Sequence, residues 1–216
     1  MKSFIKTVTA VLMFLFMAAC NIQDNPQGNQ SNPQCIRFTG WTENPSTRTT
    51  LVNGVETAWE SGSDRIGIFS LQARTSEEAE PPAHNVAFSA LESAKTSAFS
   101  GTMLWGTAGA VHVFHAYYPY QALDEPAVDA VPVSLPAEQV QAGANESGHL
   151  SALDFMVSIP LEVYAPGSPE GASANVGLTF NHVFTLMEYR ITGSGQELTD
   201  ISLVGAGALS FSSGTI

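Results

Sequence analysis

The chain has 216 residues and a formal net charge of −12, from eight Lys and Arg against twenty Asp and Glu. Phosphate binding depends on clustered Lys and Arg, so this composition argues against nucleic acid as a partner. The length suits one large domain, or one domain and part of a second.

The N-terminal segment has the pattern of a secretory signal peptide. Lys2 and Lys6 precede an apolar run over residues 8–19, which is shorter than the roughly 20 apolar residues of a spanning helix. We therefore predict a signal peptide over residues 1–19. The run ends in "MAAC", which looks like a bacterial lipobox, so Cys20 is predicted to be the acylated N-terminus of the mature protein. The alternative is an ordinary signal peptide cut just before an incidental Cys20.

Residues 20–34 are rich in Asn, Gln, Pro and Gly. This composition predicts a flexible tether between the lipid and the folded part of the chain. If Cys20 carries lipid, the second cysteine of the chain, Cys35, lacks a partner. We therefore predict a domain over residues 35–216 that is stabilised by its core and has no disulfide.

From Cys35 onwards, short segments of alternating apolar and polar residues are separated by clusters of Gly, Pro, Asn and Ser. This period of two, with abundant Val, Ile, Phe and Tyr, predicts β-strands. Many short strands at this spacing predict an all-β sandwich. The stretch 182–190 could also form a short helix, although its composition favours a strand. The predicted strands cover residues 35–41, 65–70, 85–90, 96–101, 110–118, 130–136, 153–163, 176–192 and 200–207.

Sequence motifs for catalysis are missing: there is no nucleophile elbow, zinc-protease helix or phosphate-binding loop. His112 and His115 are three residues apart in a predicted strand, so their imidazoles should point to opposite faces and not share a metal. We therefore predict a protein without enzymatic activity, metal or cofactor. The acidic residues beside prolines are predicted to be solvated in exposed loops, namely Glu77, Glu78, Glu80, Asp124 and Glu125.

A series of phrases follows the lipobox in a fixed order: "IRFTGW", "TRTT", "AWESGSDRIGIFS", "VFHAYYPYQ", "VPVSLPAEQ", "LDFMVS", "LTFNHVFTLMEYRI" and "LTDISLVGAG". Together they resemble the fimbrillin family of Bacteroidetes, the lipoprotein-derived pilins and accessory proteins of type V fimbriae. The resemblance implies a transthyretin-like Greek-key β-sandwich. Because family members have two such domains, residues 35–216 are expected to form the N-terminal one, with the C-terminal domain absent from this chain.

The resemblance also implies a function. Pilins of this family reach the cell surface as lipoproteins and are cut by an arginine-specific protease in the loop after the first strand. That strand leaves with the lipid, and a strand from the next subunit fills the vacated groove by β-augmentation. We therefore expect a structural or adhesive fimbrial lipoprotein at the outer membrane, with other fimbrial subunits as partners.

The predicted cleavage site is Arg48-Thr49 in "NPSTRTT", where Pro45 keeps the loop out of strands. Arg37 lies inside the first predicted strand and is a poorer substrate, whereas Arg74 lies in another predicted loop and is the next candidate. The alternative is that Arg48 is an uncut surface residue, because anchor and tip proteins of the family can stay uncut.

Two other functions compete with the fimbrial one. A glycan-binding surface lipoprotein would use Trp41, Trp59 and Trp105 as platforms for sugar rings, and burial or dispersal of these tryptophans would argue against it. An extracellular hydrolase would need a convergent nucleophile, base or metal set, which the sequence does not suggest.

Overall fold

A computed structural model of the chain describes residues 35–42, 58–143, 148–167, 175–184, 192–193, 195 and 213–216. The predicted signal peptide, the tether and the loop that contains Arg48 lie outside these residues, as does the predicted strand 200–207. The assignments made there from the sequence stay predictions.

The described part of the chain contains strands and one short 3-10 helix, Gly148–Leu153, but no α-helix. The all-β prediction is therefore confirmed. The strands are β1 (Arg37–Thr42), β2 (Arg65–Ser70), β3 (Ala83–Ala90), β4 (Thr96–Ser100), β5 (Val111–Tyr118), β6 (Pro132–Ser134), β7 (Met156–Ser158), β8 (Leu161–Tyr164), β9 (Asn175–His182) and β10 (Ser213–Thr215).

Most of these strands belong to one rolled sheet with the order β2-β3-β4-β1-β9-β7-β5-β8. β5 also pairs with β2, so the sheet closes on itself like a barrel. Its interior holds the main hydrophobic core, in agreement with the predicted sandwich. β6 and β10 form a separate two-stranded sheet.

The position of β1 in this sheet is central. β1 pairs antiparallel with β4 on one side and parallel with β9 on the other, although more than 130 residues separate β1 from β9 along the chain. The first strand is therefore an internal member of the sheet and not one of its edges.

The predicted strand 153–163 is interrupted in the structure. Its first residue ends the 3-10 helix, and β7 and β8 follow one another along the same side of β5. Ile159 and Pro160 separate the two strands. Proline has no N–H to donate to a ladder, so the pairing breaks at that point. The first part of the predicted strand 176–192 is observed as β9, which ends at His182, whereas residues 185–191 lie outside the described residues.

Candidate functional site

The first strand and the groove that holds it form the candidate site. Three inward-facing residues are buried, namely Ile36, which precedes β1, and Phe38 and Gly40 within it. Trp41 is exposed. This alternation follows from the period of two in the predicted strand 35–41, which puts Ile36 and Phe38 on one face. We call the space that these residues occupy between β4 and β9 the β1 groove.

Aromatic rings line the deep part of the β1 groove. The Phe38 ring packs edge-to-face against Phe88 and Phe114, with centroid distances of 5.0 and 5.3 Å. Such contacts stabilise beyond the burial of area alone. Two large buried side chains on one strand, Ile36 and Phe38, contribute roughly 3 to 6 kcal/mol.

Gly40 lies at the narrowest part of the groove. A Cβ atom built on Gly40 would lie 2.8 Å from Cε2 of Phe99 on β4 and 3.1 Å from Cε2 of Phe180 on β9. Real side chains essentially never tolerate the shorter of these distances. The groove therefore has no room for a side chain at this position.

Trp59 closes the groove beside Gly40. Its ring packs edge-to-face against Phe99 and Phe180, at centroid distances of 5.0 and 5.4 Å. The indole Nε1–H donates a buried hydrogen bond of 3.1 Å to the carbonyl oxygen of Gly40. Since buried donors need partners, the Trp59 indole needs the Gly40 carbonyl of β1 as its acceptor.

Asp64 holds the turn that follows Trp59. Its Oδ2 accepts a hydrogen bond of 2.7 Å from the backbone N–H of Glu60, and its Oδ1 accepts one of 2.9 Å from the hydroxyl of Tyr118. Burial raises the pKa of Asp64, and both hydrogen bonds oppose this rise in part. Gly62 occupies the turn with a φ of 80°, a value that favours glycine. The stretch "SGSD" (residues 61–64) has the composition of a turn and forms one here.

His112 and His115 lie on opposite faces of β5, as predicted. His112 is fully buried: its Nδ1–H donates to the Ala110 carbonyl at 3.1 Å, and its Nε2 accepts from the Gly106 N–H at 2.9 Å. Burial lowers the pKa of His112, so the ring is neutral and acts as a packing residue. Among the described residues, no group of three or more His, Cys, Asp or Glu could hold a metal ion.

The two alternative cleavage sites, Arg37 and Arg74, have their backbone engaged in hydrogen bonds. Arg37 is part of β1. The backbone N–H and C=O of Arg74 both pair with Leu104, at 2.9 and 2.8 Å, and its guanidinium donates to the carbonyls of Trp105 and Glu77. Arg74 therefore lies in a loop, as predicted, but an isolated bridge to Leu104 holds its backbone there. Arg48 and Thr49 themselves lie outside the described residues.

The prediction that Cys35 has no disulfide partner is wrong. Cys35 is disulfide-bonded in the structure, whereas the sequence reasoning left it without a partner. The other cysteine of the chain, Cys20, lies outside the described residues. The prediction depended on acylation of Cys20, because the chain has two cysteines and a lipid on one leaves the other without a partner.

The tryptophans do not form a sugar-binding surface. Trp59 and Trp105 belong to the core, with 1% and 3% of their surface exposed, and Trp41 is 37% exposed. The burial of two of the three platforms argues against the glycan-binding alternative. The acidic residues beside prolines are exposed, as predicted, namely Glu77, Glu78, Glu80, Asp124 and Glu125.

Comparison with known proteins identifies the family. The sequence profile described as fimbrillin-like matches residues 47–214, more than three quarters of the chain. The chain belongs to the fimbrillin-like family. No curated protein and no solved structure matches it significantly.

Membership in the fimbrillin-like family indicates a fimbrial subunit that associates with other subunits at the cell surface. The family is structural and not enzymatic. Within the part of the chain that the structure describes, no helix is long and apolar enough to cross a bilayer.

Proposed function

We propose that this fimbrillin-like protein is a structural or adhesive subunit of a fimbria, anchored in the outer membrane through lipid on Cys20 and assembled by strand exchange at the β1 groove. The observation that supports exchange best is the central position of β1. This N-terminal strand is paired on both sides and buried on one face, yet the segment 43–57 is its only covalent link to the rest of the described chain.

One cut in that segment is sufficient to make β1 a bound peptide. The groove would retain it at first, because Ile36 and Phe38 contribute roughly 3 to 6 kcal/mol. A domain of this size has a total stability of about 5 to 15 kcal/mol, so it can survive the loss of β1. The vacated groove would expose the aromatic side chains around Phe38 and leave the indole N–H of Trp59 without its acceptor, so refilling is favoured.

The cut is proposed to follow Arg48. An arginine-specific protease, applied to the folded full-length protein, should cleave after Arg48 before it cleaves after Arg37, Arg65 or Arg74. Arg37 and Arg65 are in strands, and Arg74 pairs with Leu104 through both backbone groups. Mass spectrometry of samples taken early in the digestion identifies the first site.

The matched control for this digestion is Arg48→Lys, which keeps the charge and removes the arginine. The variant should lose the first cut and retain its fold, checked by circular dichroism. Early cleavage at Arg74, or an unchanged digestion pattern in the variant, would contradict the proposed site and favour an uncut anchor or tip protein.

A further inference from the structure

We propose that the β1 groove selects its strand through the glycine at position 40. Only a strand that combines two large inward-facing side chains with a glycine four residues after the first can fill the groove. This inference rests on the proposed strand exchange and specifies which donor strand the exchange accepts. In this chain the three positions are Ile36, which precedes β1, and Phe38 and Gly40 within it.

The wall opposite Gly40 cannot move aside to admit a larger residue. Phe99 and Phe180 have 1% and 0% of their surface exposed, and the Trp59 ring packs against both of them. A Cβ at position 40 would meet Cε2 of Phe99 at 2.8 Å. Three mutually packed rings resist displacement, so an added methyl group causes strain here.

The hydrogen bond from Trp59 and the two large inward-facing side chains together position an incoming strand. The indole Nε1–H donates to the main-chain carbonyl of residue 40, a group that every strand carries. The strand must also run antiparallel to β4 and parallel to β9, with Phe38 opposite Phe99 and Val176. When large side chains of a donor fill the positions of Ile36 and Phe38, one particular residue of that donor lies against Phe99 and Phe180. That residue has to be glycine.

Intrinsic strand propensity acts in the opposite direction. Glycine weakens an isolated strand relative to Ala or Val, since it has more backbone freedom to lose and no side chain to pack. If the groove had room at this position, Ala and Val would improve binding. The proposal therefore predicts the sign of the effect as well as its size.

A competition experiment with peptides tests the selection. The full-length protein is cut after Arg48, or at a protease site inserted within 43–57 if Arg48 resists, and β1 is exchanged for a labelled peptide of residues 35–42 with Cys35→Ser. Fluorescence anisotropy then ranks unlabelled peptides as competitors. The Gly40→Ala peptide should compete about tenfold more weakly or worse, and the Gly40→Val peptide more weakly still.

The matched control peptide carries Thr39→Val, which adds no bulk and lies on the outer face between Ala98 and Gly177. It should compete within about twofold of the unmodified peptide, because no packed ring opposes it. Equal competition by the Gly40→Val and unmodified peptides would overturn the selection while leaving strand exchange intact. Failure of the unmodified peptide to bind would instead contradict strand exchange itself, and this proposal with it.

A change in the groove provides the reciprocal test. Phe99→Leu removes the Cε2 atom that approaches residue 40, so the difference between the glycine and alanine peptides should shrink several-fold. Phe88→Leu is the control, since Phe88 contacts Phe38 in the deep part of the groove, and it should leave that difference unchanged. An equal effect of both variants would show that general loosening of the core, and not the contact at position 40, sets the preference.

Discussion

At the scale of single residues, Asp64 holds together two segments of the candidate site. It connects the turn after Trp59 to Tyr118 at the end of β5, 54 positions further along the chain. The indole of Trp59 in turn reaches the carbonyl of Gly40. A buried carboxylate thus positions the donor that recognises β1.

Asp64→Asn should change how stability depends on pH. Burial raises the folded-state pKa of Asp64 above its ordinary value of 3.8, so between these two pKa values the folded protein binds the proton more strongly than the unfolded chain does. The stability contributed by protonation is present at low pH and is lost as the pH rises through that window. Urea unfolding measured from about pH 4 to about pH 7 should show this loss in the wild type and not in the variant.

Asp64→Ala is the companion variant for this measurement. It removes both acceptors, leaves the Glu60 N–H and the Tyr118 hydroxyl without partners, and should lower the free energy of unfolding by about 1 to 3 kcal/mol. Parallel pH profiles for the wild type and Asp64→Asn would show that the carboxylate does not titrate differently in the folded state.

At the scale of elements, β1 and β9 meet through two glycines with different surroundings. Gly40 faces the buried rings of Phe99 and Phe180, whereas Gly177 lies under the half-exposed Trp41, whose Cη2 would be 2.8 Å from an added Cβ. The distances are alike, but an exposed indole can swing outwards and a buried ring cannot.

Gly40→Ala should therefore destabilise the intact protein more than Gly177→Ala. We expect a loss of about 1 to 3 kcal/mol for Gly40→Ala, as in other overpacked cores. Gly177→Ala should cost less than about 1 kcal/mol, because relief of strain by Trp41 and the better strand propensity of Ala offset the contact. Urea unfolding measures both, and the opposite order would mean that the Gly40 pocket relaxes more easily than the rings indicate.

At the scale of the whole molecule, the chemistry of Cys20 decides how the domain is held at the surface. A lipid thioether and a disulfide cannot use the same sulfur, and Cys35 is disulfide-bonded in the structure. Since the chain has two cysteines, acylation of Cys20 leaves Cys35 as a thiol within any single chain. The lipoprotein proposal and an internal disulfide therefore exclude each other.

Cys20→Ser and Cys35→Ser separate these two states. In a host that processes lipoproteins, Cys20→Ser should release the protein from the membrane or stall it as an uncut precursor, whereas Cys35→Ser should partition into detergent like the wild type. A stably acylated protein anchored by two or more chains explains this difference. Equal membrane association of Cys20→Ser and wild type would contradict the lipid anchor, and a mobility shift of the wild type on reduction would then support the disulfide.

The sequence alone determined the local character of the described chain. Alternation of apolar and polar residues predicted the all-β class and several strand boundaries, because side chains in a strand alternate between faces whatever the neighbouring strand is. The same rule placed Ile36 and Phe38 together inside the core, and His112 and His115 on opposite faces. The "SGSD" turn could be predicted because its residues interact over a few positions.

Only the tertiary structure decided which elements and side chains meet. A period of two says which face a residue occupies but not which strand lies beside it, so neither the insertion of β1 between β4 and β9 nor the glycine requirement at Gly40 could be predicted. The pairing of Arg74 with Leu104 could not be predicted either, because it joins positions 30 residues apart along the chain. The contacts that build the β1 groove are likewise long-range: they form when the sheet closes, and they depend on shape and distance that no local pattern encodes.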